Sequence, residues 1–406
     1  MTRRRRRKHE KQLRHRRETG LGHTRLALIT GVSAGAALGM TATVQAATYD
    51  VTNLDPSGSG SLAAAMAAAN NGNAPTKDEI VFQTGLSGQI NLGGDLTTVD
   101  EPLGIYGNNA SVTISGGGAH RIFNVVAGGK LSVDSLTLTN GHPSSGSGGA
   151  IANSSGEVGV YNSTVSGSTA SDGGGIYSVG GKLVMDDSTV TGNTPDGIRT
   201  RFNADGVYIS TISGNQGFGL HPSYSTHFYV NDSTIDGNTS DGIYAYNASK
   251  AYVTGSAVAD SGLADISEIG TTLHAYYSLI ENAGGTPFMG THDITGTDPQ
   301  LAPLAANGGR TPTNRPSNTS PLLDQSNGAG FDQRHQPRPF DIASIPNAKN
   351  GSDIGSVELQ AAELVVPPPP ASGATTPTRK ECKRPKKKGK KSSARASKKC
   401  KKKKKK

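Results

Sequence analysis

Between Leu138 and Ile280 the apolar residues fall into three columns that keep step with one another, each bounded by Gly, Asn, Asp or Ser. The first runs Leu138, Val165, Val190, Ile212, Ile235, Val258 and Ile280, at spacings of 27, 25, 22, 23, 23 and 22 residues. The second runs Ile151, Ile176, Ile198, Leu220, Ile243 and Ile266, mostly just after Gly or Asp-Gly, and the third runs Val160, Met185, Val207, Val230 and Val253. Around the first column a phrase repeats: NSTVSGS at Asn162, DSTVTGN at Asp187, ISTISGN at Ile209 and DSTIDGN at Asp232. Three short apolar segments per period describe three short strands joined by turns, and leave no space for a helix of three turns.

A unit of this size cannot bury an apolar face alone, so the period predicts a solenoid in which each column stacks on its equivalent about 4.8 Å away. The leucine consensus of leucine-rich repeats is absent, and the three-stranded parallel β-helix fits better. Asn193, Asn215 and Asn238 share one offset in successive units. They suit a turn ladder, because a side-chain amide can hydrogen-bond to the coils above and below.

The ends carry further information. Residues 49–126 open with a strand and an Ala-rich helix from Leu62 to Asn70, followed by alternating apolar strands. A helix before the first coil would cover the open end of the stack. The order GSGSL, AAAN, DEIVF, then ISG and IFNV resembles the N-terminal part of secreted bacterial right-handed parallel β-helix, pectin-lyase-like proteins. Ala63 and Gly60 stand where that pattern has Arg and, in some members, Cys. Residues 298–359 contain NGGRTPT, SPLLDQ, DQRHQPRP and DIGSVEL, which resemble the C-terminal choice-of-anchor segment of the same proteins, with His335 where Gly is expected. The resemblance implies a right-handed coil, consistent with the preference of parallel crossovers, and a terminating segment ahead of a surface-attachment element. It implies no reaction.

Composition agrees with a narrow coil of small residues: 54 Gly, no Trp and 5% aromatic residues in 406. The formal charge of +9 hides an asymmetry. Residues 1–25 carry 11 Lys+Arg and residues 371–406 carry 18, whereas the body from 26 to 370 has 12 basic and 29 acidic residues, a net of −17. The folded part has no basic patch with interleaved aromatics, which argues against nucleic acid as its partner. The N-terminus reads as a secretory signal: a basic run, the short apolar LALITGVSAGAALGM, then small residues with Val44 and Ala46 at a cleavage point. The apolar run is too short and too rich in Gly and Ala for a permanent membrane span. After Val366 come PPPP and a Ser/Thr-rich spacer, then RKECKRPKKKGKKSSARASKKCKKKKKK, whose charge density predicts disorder. Cys382 and Cys400 lie in that tail. In an oxidising exterior they close a loop, bridge two molecules, or remain two exposed thiols.

Alternation along a strand points the residues after the second column outward. They read Tyr177, Arg199, His221 and Tyr244, and two places on Val179, Arg201, Ser223 and Tyr246, with Asp196 and Asp241 in the preceding turns. Arg, Tyr and His on adjacent coils suit a trough for an extended, acidic sugar chain. The plainer alternative is a solvated outer face with Asp-Gly turns. Asp196 and Asp241, two coils or about 9.6 Å apart, sit near the separation of an inverting glycosidase. The acidic pairs Asp186-Asp187 and Asn231-Asp232 occupy the repeat phrase, where a turn role accounts for them. His120, His142, His227, His274 and His292 lack metal-ligand spacing, so neither a metal nor a cofactor is expected.

The expectation is therefore an all-β, right-handed three-stranded parallel β-helix with a short N-terminal capping helix and a disordered basic C-terminal tail. Its parts are a signal peptide (1–46), a cap with the first coils (47–126), repeats (127–297), a terminating segment (298–360), a linker (361–378) and the Lys-rich tail (379–406). The leading function is an exported, non-catalytic cell-surface protein whose tail engages anionic envelope polymers. The rival is a polysaccharide lyase or glycoside hydrolase, and homotypic association through the tail is a third reading.

Overall fold

A computed structural model describes residues 46–70 and 77–364. The expected signal peptide, most of the linker, and the Lys-rich tail with Cys382 and Cys400 lie outside the described residues. The chain divides into the units Met1–Ala46 and Ala47–Lys406, and everything below concerns the second.

The architecture is the expected parallel β-helix. Its three sheets contain 11, 10 and 7 strands, and the strands within each sheet pair in parallel from coil to coil. The third column lies in the first sheet, the first column in the second and the second column in the third. Register is kept residue for residue: Val165 pairs with Val190, Val190 with Ile212, and Ile198 with Leu220. All are buried in one continuous core. The third sheet begins only at Phe123–Val125, which is where the coil becomes three-sided. The cap is the helix Leu62–Ala69, whose first turn is closed by the Ser61 side chain accepting from the Ala64 N–H, and whose Leu62, Ala65, Met66 and Ala69 enter the core.

The corners explain the repeated phrase. In Asp-Ser-Thr-Val the first residue takes a left-handed conformation, as at Asp187 (φ 50°) and Asp232 (φ 49°). The Ser hydroxyl then accepts the corner N–H of the preceding coil: Ser163 N–H reaches Ser188 Oγ at 3.1 Å, Ser188 reaches Ser210 at 3.0 Å and Ser210 reaches Ser233 at 3.2 Å. The next corner follows the same rule with asparagine. Asn193 N–H donates to Asn215 Oδ1 at 3.1 Å and Asn215 N–H to Asn238 Oδ1 at 3.1 Å, while the side-chain amides repeat the link at 3.0 and 2.9 Å. At these two corners a buried N–H that cannot join a strand ladder thus finds an acceptor one coil along. The expected Asn ladder is present, and the serine ladder accompanies it.

Residues 298–364 differ from the expected terminal cap. They turn back along the outer face of the second sheet rather than only closing its end. Gln333 Nε2 donates to Thr189 Oγ1 at 2.9 Å, Thr211 Oγ1 donates to Gln333 Oε1 at 2.6 Å, and Ser356 N–H reaches Thr234 Oγ1 at 3.0 Å. The outward Thr of the phrase is the docking row. The segment has little regular structure and is held by buried charges. Arg334 pairs with Asp332 (2.9 Å) and Glu363 (2.6 Å), and Arg338 with Glu358 (2.8 Å). Burial presses the Arg338 guanidinium toward neutrality, but Glu358, Asp232, Asp332 and Asp353 outweigh it and hold its pKa above the ordinary range. Glu363 belongs to the short helix Ala361–Leu364, so the boundary drawn at residue 360 moves to at least Leu364. The words DQRHQPRP and DIGSVEL are the residues of this network. His335, where Gly is expected, has φ 61°, which is why Gly suits that place.

Candidate functional site

The outer face of the third sheet carries the sequence-derived candidates, and the strands bring most of them together. Ile176–Val179, Ile198–Arg201, Leu220–Ser223 and Ile243–Tyr246 bury their first residue, which turns the second and fourth outward. Tyr177 pairs with Arg199 and Arg199 with His221, and in the second row Val179, Arg201, Ser223 and Tyr246 are in register. Ser223 is buried, with its Oγ donating to the Thr200 carbonyl at 3.1 Å, so it belongs to the fold and not to the surface.

The first row is packed and charged. Arg199 Nη1 lies in hydrogen-bond contact with His221 Nδ1. A guanidinium only donates, so Nδ1 is the acceptor in this contact. Arg199 Nε is 3.5 Å from Asp172 Oδ1, and His221 Nδ1 is 3.8 Å from Asp196 Oδ2. Burial pushes the Asp172 carboxyl up; Arg199 opposes the shift and Asp196 adds to it. Asp172 was not among the sequence candidates. Its signal was the Gly run that follows, since Asp172 precedes GGGI much as Asp196 and Asp241 precede Gly-Ile.

Asp196 and Asp241 do not flank an open groove. Each accepts the N–H of the equivalent turn residue one coil on, Asp196 from Phe218 and Asp241 from Ala264, both at 3.1 Å. Phe218 fills the coil between them: its ring stacks on Tyr244 at 4.9 Å and meets the edge of His221 at 4.7 Å. The carboxylates that converge on Arg199 and His221 are therefore Asp172 and Asp196, and Asp241 is a turn residue.

Beside the second row stands an aromatic ridge that the sequence candidates left out. Phe202 and Tyr224 follow the third-sheet strands at φ 58° and 51°, where other coils use Ser155, Gly180, Asn247 and Gly270. A bulky side chain in the left-handed region costs about 1–2 kcal/mol. The two rings are 56% and 41% exposed, so burial does not compensate. They stack on each other at 5.4 Å, Tyr224 meets Tyr246 edge-on at 5.4 Å, and the Arg201 guanidinium lies 5.7 Å from Phe202 and 5.9 Å from Tyr224. Arg201 Nε is buried without a hydrogen-bond partner. Among the described residues no cluster of His, Cys, Asp and Glu is arranged to hold a metal ion, and no helix is long and apolar enough to cross a membrane.

Residues 103–264 match the family model described as the right handed beta helix region. That span covers the third sheet almost entirely and includes every candidate residue named above. Among solved structures, one titled "Crystal structure of pectate lyase Pel9A" aligns over 78% of this chain and 98% of that chain, at 14% identity and a TM-score of 0.39. No curated protein matches.

Proposed function

We propose that this is an exported cell-surface β-helix protein that binds an anionic polysaccharide along the outer face of its third sheet. The observation that carries the reading is Arg201 beside two exposed aromatic rings held in a conformation that costs stability and brings no burial. Backbone strain kept at a solvent-facing position is the mark of a site rather than of a core. Arginine offers forked donors to carboxylates, and the Phe202, Tyr224 and Tyr246 rings offer apolar faces and edges to sugar rings. Arg201, Phe202, Tyr224 and Tyr246 lie on successive coils along the rod, an arrangement that suits an extended polymer. The basic tail would add salt-dependent attraction to anionic envelope polymers.

The test is retention of the chain Ala47–Lys406 on a panel of acidic and neutral polysaccharides, with product analysis. Binding of acidic members, weakened by Arg201→Ala and by salt, is expected. Binding that ignores both would refute the assignment to this face, and loss of wall binding on deleting residues 371–406 tests the tail separately.

A second reading, hydrolysis of an acidic glycan, is favoured by one feature: Asp172 has a raised pKa and shares Arg199 and His221 with Asp196. Asp172 would donate the proton and Asp196 would act as base. Polymer shortening that Asp172→Asn abolishes would move the protein to this class. Intact polymers throughout would leave the binding reading in place.

A further inference from the structure

The outward hydroxyl row of the second sheet is longer than the segment that covers it. Thr189, Thr211 and Thr234 are buried under residues 298–364, while Thr113, Thr137 and Thr164 on the preceding coils remain partly exposed. The rows stay in register across this change, with Thr137 paired to Thr164 and Thr164 to Thr189. Where it is covered, the face is read by uncharged groups: the Gln333 amide, the Ser356 hydroxyl and the Pro312 carbonyl. Its chemistry therefore selects neutral hydrogen-bonding partners.

At the uncovered end the same face opens into a cleft of about 350 Å3, lined by Gln89, Asn91, Ser115, Asn140, His142 and Thr169. The volume lies within the roughly 300–1,000 Å3 of small-molecule sites. The lining comprises side-chain amides, hydroxyls and an imidazole, with glycines between them, and no Lys, Arg, Asp or Glu. Gly117, Gly118 and Gly167 have positive φ, and a Cβ at Gly117 or Gly118 would meet nothing within 4 Å. A ligand can thus approach the backbone there. Gln89 Nε2 is held to Asn91 Oδ1 at 2.6 Å, which orients both amides along the cleft wall.

We propose that this cleft is a binding site for an uncharged saccharide of about one or two pyranose units, separate from the anionic-glycan face. A neutral sugar presents a donor and acceptor at nearly every ring carbon, matching a wall of amides and hydroxyls that can do both. Peptide docking would call for apolar anchor pockets, and the cleft lining supplies none. A charged sugar would find no Lys, Arg, Asp or Glu in the lining. The proposal does not rest on the reading of the third sheet.

The test is saturation-transfer NMR and calorimetry on the chain Ala47–Lys406 with uncharged di- to tetrasaccharides (gluco, xylo, manno and N-acetylglucosamine series), alongside a uronate oligosaccharide and an uncharged peptide. Binding of at least one neutral series is expected, insensitive to salt and to Arg201→Ala. Asn140→Gly, which keeps the left-handed backbone of that residue (φ 51°), and the surface pair Gln89→Ala/Asn91→Ala should each weaken it at least tenfold. No neutral saccharide bound, binding untouched by both variants, or a preference for the peptide or the uronate would each overturn it. Circular dichroism and melting of the variants separate loss of the site from loss of the fold.

Discussion

Arg338→Met is the perturbation that best tests how the C-terminal segment is held. The guanidinium is almost wholly buried, with Nε on Glu358 Oε2 at 2.8 Å, Nη2 on the Gly355 carbonyl at 2.8 Å and Nη1 3.8 Å from Asp232. Methionine keeps much of the length and none of the charge. Glu358 would then share its surroundings with Asp353, whose carboxyl burial and Glu358 already push up to about 7. Removing one partner of a buried pair costs about 3–5 kcal/mol. Proton uptake by Glu358, whose pKa is already raised by burial, moves the expected loss toward about 3 kcal/mol. Because the segment has little regular structure and adds no strand to the three sheets of the rod, the loss should stay local. Hydrogen exchange at the Ser326, Gln333, Asp353 and Leu359 amides should accelerate by about 100-fold, at roughly 1.4 kcal/mol per tenfold. The Asn193 and Ser210 amides, bonded only within the rod, should keep their rates. Acceleration spread evenly over rod and segment, or below tenfold within the segment, would refute the picture of a charge-locked segment docked on an independently stable coil.

Asn215→Ala removes the acceptor of the buried Asn193 N–H and should cost about 2–4 kcal/mol in urea unfolding, and Asn215→Asp should not recover it, because the lost amide N–H donates to the Val190 carbonyl and Asn238 Oδ1. Phe202→Gly relieves left-handed strain, so melting should hold or rise by the equivalent of about 1 kcal/mol while polysaccharide affinity falls. Burial pushes Asp205 to about 6, Asp236 to about 7 and Asp265 to about 6. The folded chain therefore holds protons that the unfolded chain releases near pH 4, and stability should be greatest at acid pH and decline as pH rises through about 6 to 7, as thermal melts across pH 4–8 would show.

The inward residues were legible in the sequence because a stacked coil repeats its core at a fixed register. Val165, Val190, Ile212 and Ile235 had to coincide once the period was found, and Asn193, Asn215 and Asn238 fixed one corner. The serine ladder was equally periodic at Ser163, Ser188, Ser210 and Ser233, but hydroxyls in a turn phrase read as generic turn chemistry. The outward rows were legible in direction only. Alternation placed Tyr177, Arg199 and His221 on one face, yet no spacing rule could say that Phe218 would fill the gap between Asp196 and Asp241. Nor could it say that the turn would bring Asp172 in. The folding back of residues 298–364 depends on contacts between residues distant in the chain, as between Thr211 and Gln333, 122 positions apart, and has no periodic signal.

The division between inward and outward positions also decides what each kind of sequence likeness can mean. DQRHQPRP and DIGSVEL are the most distinctive words in the chain, and their side chains are spent on one another: Asp332 on Arg334, Arg338 on Glu358, Asp353 on the Leu359 N–H. Gln333 and Ser356 from the same words are spent on the threonine row. Such residues hold the segment on the β-helix, and chemistry has to come from positions the clasp and the ladders leave free. On the third sheet those positions are Arg201, Phe202, Tyr224 and Tyr246, and two of them, Phe202 and Tyr224, are bulky rings at a left-handed place where other coils use Ser155, Gly180, Asn247 and Gly270. In the outward columns a substitution alters the surface without disturbing the stack beneath. That is why the deviations from the repeat, and not the repeat itself, point to the site.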